Sequence, residues 1–392
     1  MKKLIAVFLV LAVVVLIFAS CGKLNFLDKF GVDNEQERQS EQESQSEQGS
    51  EGLFYYPLPD GTYGVSAGTA KYCEEIIIPA TYNKKAVTQI VNEGFKECTN
   101  LKSVEIPDSV TSIGYIAFSG CSSLVNVTIP DSVKSLGSAA FSACDKLANV
   151  TIGNGVTSIG GSAFSNCRGL TNVTIGDGVT SIGELAFSCC SGLTSVTIPD
   201  SVTSIGYAAF SNCSGLTNIT IPDSVTSIGE GAFANCRGLT SVTIPDSVTS
   251  IGDRAFSNCD GLTSISIPDS VTSIGYATFQ GCDGLTSISI PDGVTSIGGS
   301  AFSVCSGLTS VTIGNGVTSI GYEAFHNCSG LTSITIGNGV TSIGDRAFSN
   351  CGGLTIIMFQ GTKEQWNAIS KSSFWNYGTG NYTIYCTDGN IN

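Results

Sequence analysis

A chain of 392 residues has room for two or three globular domains, yet only 13% of it is charged and 47 residues are glycine, so its surface must rest on Ser, Thr, Asn and Gly. Its net charge of −14 excludes an electrostatic hold on nucleic acid or anionic lipid and names no partner of its own.

At the front, Lys2 and Lys3 precede an apolar run from Leu4 to Phe18, and Ala19-Ser20-Cys21-Gly22 follows with small residues around one cysteine. The run is shorter than the ~20 residues a spanning helix needs, which makes residues 1–20 a cleaved signal peptide by expectation. Phe18-Ala19-Ser20-Cys21 resembles a bacterial lipobox, with Phe18 where leucine is usual, and the resemblance implies lipidation of Cys21. Residues 21–52 are then a tether, because Asp33 to Gly52 has almost no apolar side chain to offset the entropy of ordering it.

Residues 53–75 read as a cap hairpin, from Leu53-Phe54-Tyr55-Tyr56 and Thr62-Tyr63-Gly64-Val65 around Asp60-Gly61. From 76 to 359 the chain repeats with a period of 23: Phe recurs from Phe95 and Phe118 to Phe348, Cys three residues later from Cys98 to Cys351, and Leu three later again, from Leu101 to Leu354. Written from Leu193, one unit is LTSVTIPDSVTSIGYAAFSNCSG. Leu193, Val196 and Ile198 alternate with polar residues, which predicts a strand with Thr197 facing out. Pro199-Asp200-Ser201, or Gly-Asn-Gly in other units, is turn chemistry. Val202 to Ile205 predicts a second short strand, ended by Gly206 at a bend or a positive φ. Ala209-Phe210-x-x-Cys213 has the spacing of one helical turn.

No single unit buries enough to stand alone, so successive units must stack and cover each other's apolar faces. Residues 360–392 break the period and hold both tryptophans, Trp366 and Trp375, as expected of a second cap that closes the exposed end.

The pattern I-P-D-S-V-T-S-I-G-x-x-A-F-x-N-C-x-G-L-T-S-V resembles the BspA-type leucine-rich repeat of bacterial surface proteins. The resemblance implies an α/β, right-handed leucine-rich-repeat solenoid of 23-residue units (strand, turn, short strand, short helix), closed by N- and C-terminal caps. It also implies surface exposure, adhesion to host or microbial molecules, and no shared catalytic residue.

Sixteen cysteines in an exported chain raise the question of disulfides, but twelve hold the same inward place in successive units and read as a ladder of buried thiols. Cys73 and Cys386 belong to opposite caps. No C-x-x-C pair occurs, so no zinc site is expected, and no cofactor. The lone His326 stands where other units have Ser211 or Ser257, a position expected to be exposed, and it gives no basis for a catalytic dyad. The turn aspartates Asp108, Asp131, Asp200, Asp223, Asp246, Asp269 and Asp292 read as turn formers, since Asn154, Asn315 and Asn338 replace them without their charge.

What remains is the outward strand face, where Thr128, Thr151, Thr174, Thr197, Thr220, Thr243, Ser266, Ser289, Thr312 and Thr335 line up as candidate ligand-binding residues. The units also differ just after the fixed glycine, as at Tyr115-Ile116, Tyr207-Ala208 and Asp253-Arg254, which keeps a site on the helical side open. The expectation is a monomeric, non-enzymatic module in the bacterial cell envelope, held to the membrane through its lipid alone. Its partner would be an extracellular protein or glycan. A surface spacer without a specific ligand is the alternative.

Overall fold

The computed structural model describes residues 49–391. The signal peptide expected at 1–20, the lipidated Cys21 and most of the tether at 21–52 lie outside the described residues. The chain divides after Gly178 into two compact units.

The first unit opens on an antiparallel hairpin, Phe54–Pro57 against Tyr63–Ser66, followed by a short 3-10 helix, Gly68–Tyr72. The strand Tyr63–Ser66 then pairs in parallel with Lys85–Ile90, which hands the hairpin over to the repeats. Five parallel strands follow in one sheet: Glu75–Ile77, Ser103–Glu105, Asn126–Ile129, Asn149–Ile152 and Asn172–Ile175. Neighbours pair with no shift in register, so Thr128, Thr151 and Thr174 stand side by side. A constant 23-residue offset brings this about, since it presents the same pleat at every step.

The second unit repeats the plan. Ser195–Thr197, Asn218–Thr220, Ser241–Thr243 and Ser264–Ser266 form a four-stranded parallel sheet. A six-stranded sheet runs from Ser287–Ile290 through Ser310–Ile313, Ser333–Ile336, Ile356–Phe359 and Thr383–Cys386, and ends in an antiparallel turn to Gly389–Ile391. Two-residue strands such as Ser204–Ile205 and Ser227–Ile228 make a second ladder, one rung per turn.

The fold is therefore a parallel-strand solenoid, and it has few helices. The segment expected as a short helix, Ala209 to Cys213, is instead a chain of hydrogen-bonded turns. Ala209 N–H donates to Gly206, Ser211 to Ala208 and Cys213 to Phe210, while Ala208, Phe210 and Asn212 donate to Glu230, Ala232 and Ala234 of the next turn. Alternate residues face alternate partners because Ala208 and Asn212 have φ of 48° and 61°. A helix would satisfy these groups within the turn, and the left-handed residues redirect half of them to the neighbour. Gly206, for its part, is not in the left-handed region. Its neighbour Gly229 shows why glycine is needed: a Cβ there would lie 2.6 Å from the Gly206 carbonyl carbon.

The core of each unit is a stack of phenylalanines. Phe95, Phe118 and Phe141 lie 4.9 and 5.0 Å apart in near-parallel planes, as do Phe187, Phe210 and Phe233 at 5.3 and 5.5 Å. Edge-on contact of Trp375 with Phe348, at 6.0 Å, ends the second stack. Trp366 is buried between Phe359 and Trp375, so both tryptophans close the core, whereas Phe374 and Tyr377 beside them stay exposed. The helix Lys363–Ala368 that carries Trp366 starts with a capping box between Thr362 and Gln365.

The twelve ladder cysteines are buried free thiols. They are more than small apolar residues. In ten of them Sγ donates to the carbonyl of the phenylalanine one turn back, as Cys144 does to Phe118 and Cys259 to Phe233. Burial pushes the thiols of Cys213, Cys236, Cys259, Cys282 and Cys305 up from their ordinary range.

Candidate ligand-binding face

Three columns of hydroxyl side chains bond from one turn to the preceding one. In the second unit, Thr217, Thr240 and Thr263 precede the strands and donate to Thr194, Thr217 and Thr240 carbonyls of the preceding turn, each at 3.2 Å. Past the bend, Thr203 and Thr226 donate in the same way to Thr180 and Thr203. Ser201, Ser224 and Ser247 of the turns bond Val179, Val202 and Val225 carbonyls at 2.6–2.7 Å. These hydroxyls hold the solenoid together.

The strand column differs. Thr128, Thr151 and Thr174 form one run in the first unit, Thr197, Thr220, Thr243 and Ser266 a second, and Ser289, Thr312 and Thr335 a third. All are exposed except Thr335, which is half-buried. Their hydroxyls make no hydrogen bond among the described residues. Each can donate and accept toward a ligand with nothing to break first. Beside them, Asn149 and Asn172 donate their amides to Asn126 and Asn149 at 2.7 and 2.8 Å, which fixes that neighbouring column.

The turn side is more varied than the sequence suggests. Asp131 and Asp292 accept the Asn154 and Asn315 N–H of the next turn, both at 2.6 Å, where a Gly-Asn-Gly turn follows. Asp200, Asp223, Asp246 and Asp269 are exposed without such a bond, so turn formation does not use their carboxylates. A shallow depression lies at each of the two steps where Asp131 and Asp292 accept such a bond. One, of about 580 Å³, includes Glu105, Asp108 and Asp131; the other, of about 680 Å³, includes Asp269, Asp292 and Gln360. No set of three or more His, Cys, Asp or Glu among the described residues is placed to hold a metal ion.

Across from the strands, the variable residues satisfy one another. Arg254 lies 3.7 Å from Glu230 and stacks over Tyr276, and Arg346 lies 3.6 Å from Glu323. His326 is half-buried, not exposed, because the serine position it occupies points inward: Ser211 and Ser257 are both buried. Its Nδ1 pairs with Ser349 Oγ at 2.6 Å. Ser349 is itself buried, so the pair presents no nucleophile to a substrate.

The sequence reading missed one feature of the strand face. Ile356 and Met358 stand outward on the strand Ile356–Phe359, in register with Ser333 and Thr335. Aligning that strand on its predecessors would have revealed both.

The repeat pattern of the BspA type leucine rich repeat region matches residues 70–194, 180–308 and 272–389, in six copies. A leucine rich cell surface protein from Faecalibacterium prausnitzii A2-165 is 32% identical, over 82% of this chain and 97% of that one, with a TM-score of 0.43. A leucine-rich repeat protein from Bacteroides ovatus is 26% identical, over 85% and 98%, with a TM-score of 0.55. The pneumococcal vaccine antigen PcpA has the same fold at 19% identity, over 84% and 96%, with a TM-score of 0.51. No curated protein matches the chain. On the strength of the repeat match, which runs from residue 70 to 389, the chain belongs to the BspA-type leucine-rich-repeat family.

Proposed function

We propose that the chain is a surface-displayed, non-enzymatic binding module, adhesin-like, that recognises an extracellular protein or glycan through its strand face. The observation that carries this reading is the strand column itself, whose exposed hydroxyls are unbonded where those of Thr217 and Ser224 are spent on the neighbouring turn. Many weak, evenly spaced donors and acceptors suit an extended macromolecule better than a small molecule. The relative from F. prausnitzii is described as a cell surface protein, which supports the same location here. Lipid attachment at Cys21 would tether the module to the cell envelope, with residues 21–52 as the spacer, and many monomeric copies on one cell would supply avidity.

The test is binding of the purified chain to immobilised matrix proteins, mucin glycans and whole bacterial cells. A variant with Thr197, Thr220 and Thr243 all changed to Lys runs alongside. Saturable binding that the variant loses is the expected result. Binding that survives in the variant moves the site off the strand face, and no saturable binding to any surface leaves a spacer.

A further inference from the structure

On the six-stranded sheet of the second unit the outward positions change character. Over its first three strands they are Ser287, Ser289, Ser310, Thr312, Ser333 and Thr335. On the next two they include Ile356, Met358 and Tyr385, which are 37%, 52% and 41% exposed. Met358 stands in register with Thr335 on one side and Tyr385 on the other, so the apolar side chains adjoin one another on a continuous face. The core does not require them, since Ile357, Phe359 and Ile384 of the same strands are buried. An apolar group of this kind, bordered by polar surface, is the anatomy of a protein contact, and Met and Tyr are among the residues enriched at the centre of such contacts.

The depression of about 680 Å³ lies on the same sheet, two strands from Met358 by way of Thr312, or ~10 Å at the spacing of paired strands. Asp269 and Asp292 line it and no Lys or Arg does. It forms where the Pro291-Asp292 turn is followed by Gly314, which has no side chain to set against Asp292; a Cβ there would lie 2.6 Å from Asp292 Oδ1. Both carboxylates are exposed, and neither is in an ion pair among the described residues. With a net charge of −14 behind it, the depression favours a cation.

We propose that this sheet docks a protein segment in which a Lys or Arg side chain lies about three extended residues from an aliphatic or aromatic cluster, the cation entering the Asp269–Asp292 depression and the cluster covering Ile356, Met358 and Tyr385. The inference rests on the strand-face reading above and narrows it from protein or glycan to a basic, apolar protein segment. A neutral glycan offers no cation, and a purely basic segment leaves the apolar trio wet.

The test pans a random 12-residue peptide phage library against the full chain and measures the enriched peptides by fluorescence polarisation. Two double variants serve as controls. Ile356→Ser with Met358→Thr restores the residues of the preceding strand, and Asp269→Asn with Asp292→Asn installs the residue found at Asn315 and Asn338. Circular dichroism verifies that both retain the fold. Expected are peptides joining Lys or Arg to Leu, Ile, Phe, Tyr or Trp within a few residues. Affinity falls at least tenfold in each variant, and it weakens from 50 to 300 mM salt in the parent but little in the Asp-to-Asn variant. Enrichment of acidic or neutral peptides, of peptides indifferent to both variants, or of none overturns the proposal. If matrix proteins or cells bind through Thr197, Thr220 and Thr243 while both double variants bind them normally, the strand-face reading survives and this inference does not.

Discussion

The thiol of Cys236 donates to the carbonyl oxygen of Phe210 at 3.2 Å, one turn away, and the same carbonyl also accepts the N–H of Cys213. Cysteine is suited to this place on two counts. It is small enough for a position with no access to solvent, and it gives the second lone pair of a buried carbonyl a donor. Cys236→Ala removes the donor and leaves a small void, and should lower stability by ~1–2 kcal/mol, read as a shift in urea unfolding. An unchanged transition would show that the bond contributes nothing net.

The pH dependence follows from the same thiols. Burial pushes Cys236 and Cys305 up to about 12 from an ordinary 9.0. Unfolded, they ionise near pH 9; folded, they stay neutral. The stability they contribute is complete below pH 9 and is lost as pH rises through 12. Circular dichroism should show unfolding set in across that alkaline window, and alkylation mapped by mass spectrometry at pH 8 should mark Cys189 and Cys386, the half-exposed free thiols, before any ladder thiol. Early labelling of Cys236 would contradict the burial.

Thr278 stands where other turns place alanine, as at Ala209, Ala232 and Ala255, and its buried hydroxyl has no hydrogen-bond partner among the described residues. An unsatisfied buried hydroxyl costs ~1–3 kcal/mol. Thr278→Val, which keeps the shape and removes the hydroxyl, should raise stability by about 1 kcal/mol in the same unfolding assay. A loss of stability would mean that the hydroxyl is bonded in solution.

Val304 has φ of 62° at the position where Asn212, Asn235, Asn258, Asn327 and Asn350 are also left-handed. A β-branched side chain is poorly suited to that conformation, and asparagine tolerates it. Val304→Asn should stabilise the chain by ~1 kcal/mol, and Asn212→Val should destabilise it by a similar amount. If both changes move the transition in the same direction, backbone strain is not the cause.

Much of this solenoid can be read in the sequence because a fixed offset of 23 residues repeats every inward position, so Phe210, Cys213 and Leu216 identify the core by recurrence alone. What cannot be read depends on backbone conformation. Ala209-Phe210-x-x-Cys213 has the same spacing whether it is one helical turn or a chain of tight turns, and the left-handed Ala208 that decides between them looks like any alanine. The fixed glycine could mark either a positive φ or a close approach, and only the distance from Gly229 to Gly206 separates the two. The candidate face was legible as a column of Thr and Ser. That its hydroxyls are unspent was not, because the bonds that occupy Thr217 and Ser224 instead run between turns and leave no trace in the residues themselves.

Between the regular turns of the second unit the recurring bonds reach the adjacent turn at a constant offset, 23 residues for Thr226 to Thr203, 22 for Ser224 to Val202, 26 for Cys236 to Phe210. Removing residues 207–229 would therefore join Gly206 to Glu230 and re-form the same set of bonds, one rung shorter. A gene change that adds or removes whole repeats would lengthen or shorten the array by whole turns, ~4.8 Å each, with no new interface to invent. Reach becomes a quantity the gene can adjust by copy number while the chemistry of the face stays as it is.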